Sequence, residues 1–198
     1  VGRHGGLIKA PSGGGGAWTL IQTITSGGSD ADISFTSGID STYDEYVFKF
    51  INIHPASDSD IFYFNLSSDG GSNYNVTKTS SFFKAIHGEG DLYPGITYRT
   101  SQDLAQSTAY QQIEQDIGAD NDQSISGCLH LFQPSSTTFV KHFILYANSA
   151  HSGDNSMNPY CGGYGNTTSA IDAVQFKFSG PVALNEIQGG SISMYGIS

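Results

Sequence analysis

The sequence predicts an all-β fold, a two-sheet β-sandwich of jelly-roll type preceded by a flexible Gly-rich N-terminal arm. Three observations lead there. From Ala17 onward apolar residues recur at every second position, the period of a half-buried strand and not of a helix. Short runs of Gly, Ser, Asp and Asn cut that pattern into about nine to eleven strands, the spacing of a sandwich or jelly roll. The 198 residues include 25 Gly, 27 Ser and 14 Thr, yet also 12 Phe and 11 Tyr, too many rings for a disordered polymer. A chain of this length can bury one real core. The expected division is therefore an arm over residues 1–16 and one domain over residues 17–198.

The arm holds Gly2, Gly5, Gly6 and the run Gly13 to Gly16, too much glycine to pack by itself. Leu7-Ile8 is its apolar pair, and Arg3 and Lys9 give it positive charge. Those four residues, Arg3, Leu7, Ile8 and Lys9, suit docking onto a neighbouring subunit; a plain tail is the competing reading. In the first strand Trp18 and Leu20 share a face, and Ile21 interrupts the alternation. Ile33 and Phe35 mark a second, half-buried strand. Tyr46, Phe48 and Phe50 alternate with Val47, Lys49 and Ile51 in a long strand expected to be buried on both sides. Ile61 to Leu66 follows. Asp69-Gly70-Gly71 then supplies the positive φ of a tight primed turn, so Asn73 to Thr79 is expected to return as an edge strand of a hairpin. Further strands read over 82–86, 95–100, 125–132, 138–147, 170–178 and 191–197. Leu104 to Ile117 is the one stretch with a helical hint. The expected core includes Trp18, Phe35, Tyr46, Phe48, Val174, Phe176 and Tyr195.

Charge narrows the function. Eight Lys and Arg against 18 Asp and Glu give a net charge of −10, which disfavours electrostatic nucleic-acid binding. No apolar run reaches the roughly 18 residues of a membrane helix. The six histidines form no i,i+2 or i,i+4 pair, so no metal site is expected. No G-x-S-x-G elbow frames a nucleophile. Asp58 to Asp60 and Asp116 to Asp122 lack the glycine and closing glutamate of an EF-hand loop, and read as solvated. Cys128 reads as a small buried hydrophobe, with a disulfide to Cys161 as the alternative. The sequons at Asn65, Asn75 and Asn166 arise readily in a chain this rich in Ser and Thr. Asn148 to Thr168 reads as a long loop carrying His151, Asp154, Tyr160 and Tyr164. Aromatics beside amides and carboxylates suit a sugar-binding surface and, equally, an ordered loop at a subunit interface.

Four motifs occur in order along the chain. Ile33-Ser34-Phe35-Thr36 leads through Ile39-Asp40 to Thr42-Tyr43-Asp44-Glu45-Tyr46-Val47-Phe48. Asp69-Gly70-Gly71-Ser72-Asn73-Tyr74 follows, then Ser169-Ala170-Ile171-Asp172-Ala173 running to Phe176 and Gly180, and finally Gly190-Ser191-Ile192 to Tyr195-Gly196-Ile197. This succession resembles a family of largely uncharacterised structural proteins of tailed phages, many of them marine. The arm and the Gln-rich stretch near 101–122 fall outside the resemblance. What it implies is a virion component made in the bacterial host cytoplasm: most directly a non-enzymatic capsid decoration, cement or head-associated protein. The alternative is a tail-fibre or appendage module binding host-surface carbohydrate. It implies other virion proteins as partners and a homo-oligomer such as a trimer, and it transfers no catalytic, metal or cofactor residue. Within the motif, Tyr43 and Glu45 are expected on one face, and Asp44 and Tyr46 on the other. A buried Tyr46 needs a hydroxyl partner, for which Asp40 and Asp44 are the candidates.

Overall fold

The structure, a computed structural model, describes residues 17–179 and 186–198; the arm, with Arg3, Leu7, Ile8 and Lys9, lies outside them. Twelve strands and no helix occur among the described residues. They are β1 (Thr19–Thr25), β2 (Ile33–Phe35), β3 (Glu45–Pro55), β4 (Asp60–Ser67), β5 (Lys78–Gly88) and β6 (Leu92–Tyr98). Then come β7 (Gln111–Ile117), β8 (Ile125–Phe132), β9 (Lys141–His151), β10 (Asn155–Gly165), β11 (Ala173–Phe178) and β12 (Ile187–Ile197). The ladders, all antiparallel, run β1-β12-β3-β8-β9, and from β9 through β10 and β5 to the edge strand β6. At its end β9 also meets β7 through the pair Ile117 and His151, and β7 leads to β4, β11 and β2. One sheet thus turns back on itself into a nearly closed, barrel-like wall.

Alternation decides which side faces in. Phe143, Leu145 and Ala147 of β9 are buried while His142, Ile144, Tyr146 and Asn148 are exposed. Tyr46, Phe48 and Phe50 of β3 and Phe62, Phe64, Phe176 and Phe178 of β4 and β11 are all fully buried. Their rings meet inside the wall, with centroids 5.7 Å apart for Phe50 and Phe62 and 5.8 Å apart for Phe48 and Phe176. Apolar burial of this kind is the main favourable term in folding.

Several expectations need correction. A bulge between Leu20 and Gln22 turns Ile21 toward the core and leaves Trp18 and Leu20 exposed. In β12 the inward parity belongs to Ile192 and Met194, so Tyr195 is only half-buried and packs on Trp18 with centroids 5.4 Å apart. β3 is buried on both faces only near its start: Val47 is as fully buried as Tyr46 and Phe48, but Lys49 and Ile51, of the same parity as Val47, point to solvent. Gly70 and Gly71 do take positive φ, 72° and 82°, with Ser72 N–H donating to the Asp69 carbonyl. No hairpin follows, because β4 pairs with β7 and β11 and residues 73–77 run without a ladder. The helical hint over 104–117 resolves into a connection and strand β7. Its Gln111 and Glu114 are buried because they find partners inside the wall, Ser80 and Lys84.

Candidate functional site

Eight of the strands expose one continuous outer surface, and the register places its side chains in rows. One row runs Lys49, Cys128, Tyr146, Tyr160, Phe83, Tyr98 across β3, β8, β9, β10, β5 and β6. The neighbouring row runs Leu20, Tyr195, Val47, His130, Ile144. Phe83, Tyr98, Ile144, Tyr146 and Tyr160 are all exposed, as are Trp18 and Leu20 at the far border. His130 sits in the middle, its Nδ1 2.5 Å from the Glu45 carboxylate and its ring stacked at 5.6 Å on Tyr146. Buried Val47 and Cys128 and the His130–Glu45 pair separate Trp18 and Leu20 from the exposed rings of β9, β10, β5 and β6, and it is those rings that form a patch of exposed apolar groups.

Ring geometry limits what the surface can do. Phe83 and Tyr160 lie 5.3 Å apart with planes 7° from parallel, too close for rings side by side in one plane, so they are offset-stacked. Tyr160 turns its other side to Tyr146, with centroids 6.5 Å apart. The stacked Phe83 and Tyr160 rings therefore cover one face of each other, and the Tyr98 hydroxyl is already spent on Asp103. Beyond them β6 pairs only with β5, leaving the sheet edge open. All seven of its residues are exposed, Tyr93 at 69% and Ile96 at 76%, and none is charged. An open, apolar, uncharged edge is a template for association.

The residues singled out on 148–168 do not form one loop site. The segment is the end of β9, a tight turn, and β10, because Met157, Pro159 and Cys161 alternate inward against Ser156, Asn158 and Tyr160. Pro159 and the Gly162-Gly163 pair disguise that period. His151 and Asp154 close the turn: His151 Nδ1 accepts from Gly153 N–H at 2.8 Å, its Nε2 is 3.6 Å from Asp116, and Asp154 takes φ 56°. Tyr160 and Tyr164 stand further along β10, Tyr164 edge-on to His142 at 6.2 Å. Six residues of strand, about 20 Å, separate Asp154 from Tyr160.

Around Tyr46 the geometry is that of a fold-holding motif. The Tyr46 hydroxyl donates to the Asp40 carboxylate at 3.0 Å and accepts from Asp40 N–H at 3.0 Å. Hydrogen bonds from Thr42, then from Tyr46, hold the Asp40 carboxyl below its usual range, and burial pushes the Tyr46 phenol up. Asp44 does not share that face. It is exposed before β3 and works through its backbone, donating to the Ile197 carbonyl and accepting from Gln133 N–H. Tyr43 packs edge-on to Tyr46 at 5.8 Å and covers Gly196, where a Cβ would fall 2.2 Å from the Tyr43 ring.

Both cysteines are free and buried. They pair in register with Tyr146 and Leu145, adjacent on β9, so they project from opposite faces of the sheet. Burial pushes the Cys161 thiol up to about 12, an inert state. Lys78 is a further buried group that pattern reasoning missed. Its ammonium donates to the Asn65 side-chain oxygen and to the Val76 carbonyl, with no carboxylate in ion-pair range among the described residues. Burial lowers its pKa from 10.5 to about 7. Between those values the unfolded chain binds the proton and the folded chain does not, so this group makes stability rise with pH. Relative to Lys78→Met, the wild type should gain up to about 1.4 kcal/mol per pH unit from about pH 7 toward 10. Urea titrations at pH 7, 8 and 9 measure it; parallel curves for the two proteins would refute it.

Comparison with family models, curated proteins and solved structures gave no match to this chain.

Proposed function

We propose that the chain is a non-catalytic structural module of a phage particle, a decoration or head-associated protein that assembles through the outer face of its sheet. The observation that carries the assembly role is the uncovered aromatic row Tyr146, Tyr160, Phe83, Tyr98 ending at the open strand β6. A face of this kind suits packing against other copies or other particle proteins, with the Tyr160 hydroxyl left to bond across the contact. It suits sugar stacking less well, because Phe83 and Tyr160 occupy each other's faces. The particle assignment rests on the four sequence motifs.

The ladder order supports the finer reading of the fold. Strands β1-β12-β3-β8 and β2-β11-β4-β7 follow the two four-stranded sheets of a jelly roll, and β9-β10-β5-β6 extend the first of them. Jelly rolls serve as capsid and lectin domains alike, so the fold agrees with the role without fixing it.

Sedimentation of the full chain should show a concentration-dependent oligomer. Tyr160→Glu, which places a charge at the centre of the row, should yield a monomer with an unchanged melting temperature. A wild-type chain that stays monomeric at high concentration, or a variant that sediments identically, would overturn the assembly reading. Locating the chain in whole-particle density tests the rest.

A further inference from the structure

A second candidate stands on β11, β4 and β7, beyond the border of the aromatic row. The register sets Lys177, Tyr63 and Gln112 side by side across β11, β4 and β7, on the outer face of the β7-β4-β11 ladder. The connection from β6 to β7 folds beside this row and brings Gln102, Asp103 and Tyr110 to it, lining an open cleft of about 440 Å³. This connection belongs to the Gln-rich stretch that the motif resemblance leaves out.

Three features of the cleft are unused by the fold. Gln102 is 2% exposed; its Oε1 accepts from Arg99 Nε and its carbonyl from Gln111, but its Nε2 has no partner among the described residues. A buried amide left unpaired is costly; this nitrogen is closed to solvent, so a ligand oxygen satisfies it only after the Gln102 side chain turns toward the cleft. Lys177 Nζ stands 4.1 Å over the Tyr110 ring and pairs with no carboxylate among the described residues. Asp103 spends one oxygen on the Tyr98 hydroxyl, leaving the other for a further donor.

We infer that this cleft binds an acidic saccharide, a pyranose unit bearing a carboxylate. Lys177 meets the carboxylate. Gln102, Gln112 and Asp103 bond the ring hydroxyls, and Tyr63 provides apolar wall for the C–H face. Aromatic wall, convergent amides and one unneutralised cation in a volume of this size form a site for a small polar ligand. A neutral sugar would leave Lys177 unanswered, and the chain's net charge of −10 disfavours a long polyanion over a short one. The inference does not depend on the assembly role: Asp103 of the cleft does accept from Tyr98 at the border of the aromatic row, but Lys177, Tyr63 and Gln112 stand on β11, β4 and β7, outside that row.

The test is calorimetric titration of the full chain with short oligosaccharides of galacturonate, glucuronate, mannuronate and guluronate, against neutral galactose and glucose oligomers of equal length. At least one uronate should bind saturably and more tightly than every neutral oligomer. Lys177→Gln should weaken that binding about tenfold or more, the scale of one charge-assisted hydrogen bond, while leaving melting temperature and sedimentation unchanged. Failure of every uronate to bind, equal binding of neutral oligomers, or unaltered affinity in the variant would each overturn the proposal. The unchanged sedimentation of Lys177→Gln keeps this outcome separate from the assembly test.

Discussion

Phe176→Ala should lower the unfolding free energy by about 3–5 kcal/mol, at the upper end of that range. Phe176 is fully buried on β11, and five other phenylalanines surround it. Its centroid is 5.8 Å from Phe48, 6.0 Å from Phe62, and 6.4 to 6.5 Å from Phe50, Phe64 and Phe35. Those rings come from β2, β3 and β4, so the cavity left by alanine would open where all three elements meet β11. Each lost ring pair adds about 0.5–1.5 kcal/mol to the area term, although neighbouring pairs are not additive. Against a typical domain stability of about 5–15 kcal/mol, the loss is a large share. Urea denaturation gives the number, with Phe139→Ala as the control, since Phe139 is 67% exposed and should change little. A loss below about 1 kcal/mol at Phe176 would mean that the rings repack, and that this cluster is not the centre of the core.

The rings around Phe176 were legible because their strands alternate cleanly. Ile33 and Phe35, Tyr46 to Phe50, and Val174 to Phe178 each carry their large side chains on one parity, and the ring-lined faces follow from period two, although Val47 is buried on the other parity. Reading failed where that parity was ambiguous or masked. In β12 both parities hold large side chains, Ile192 and Met194 against Tyr195 and Ile197, so only pairing with β3 and β1 settles which set is inside. In β10 Pro159 and two glycines hid a strand. In β7 polar side chains face inward because Ser80 and Lys84, distant in sequence, wait there as partners. The aromatic row fares worst in sequence terms. Phe83, Tyr98, Tyr146 and Tyr160 are each ordinary outward residues of separate strands. Only the ladder order β9-β10-β5-β6 makes them neighbours. The cleft beside Lys177 is hidden for the same reason: its walls come from three strands and a connection.

Lys84→Met and Glu114→Leu should each cost about 3–5 kcal/mol alone, whereas the double variant should come close to the wild type. Lys84 on β5 and Glu114 on β7 form an ion pair at 2.8 Å, both side chains almost wholly buried. Their strands belong to the two halves of the sheet, β1-β12-β3-β8-β9-β10-β5-β6 and β7-β4-β11-β2. The strand ladders of these halves meet, among the described residues, at Ile117 and His151, flanked by the bonds from Gly118 N–H to the Ala150 carbonyl and from Ser152 N–H to the Asp116 carbonyl. Glu114 Oε1 also accepts from Gln115 N–H, but Oε2 has no partner among the described residues. The pair is therefore incompletely satisfied, and its Coulomb attraction has to offset the desolvation of two ions. Removing one partner strands the other's charge in an apolar interior, which is the expensive step. Removing both exchanges two desolvated ions for apolar contacts of similar volume. A double-mutant cycle by urea denaturation reads the coupling directly. If the two single losses simply add in the double variant, Lys84 and Glu114 stabilise the fold independently, and the ion pair is not what ties the two halves together.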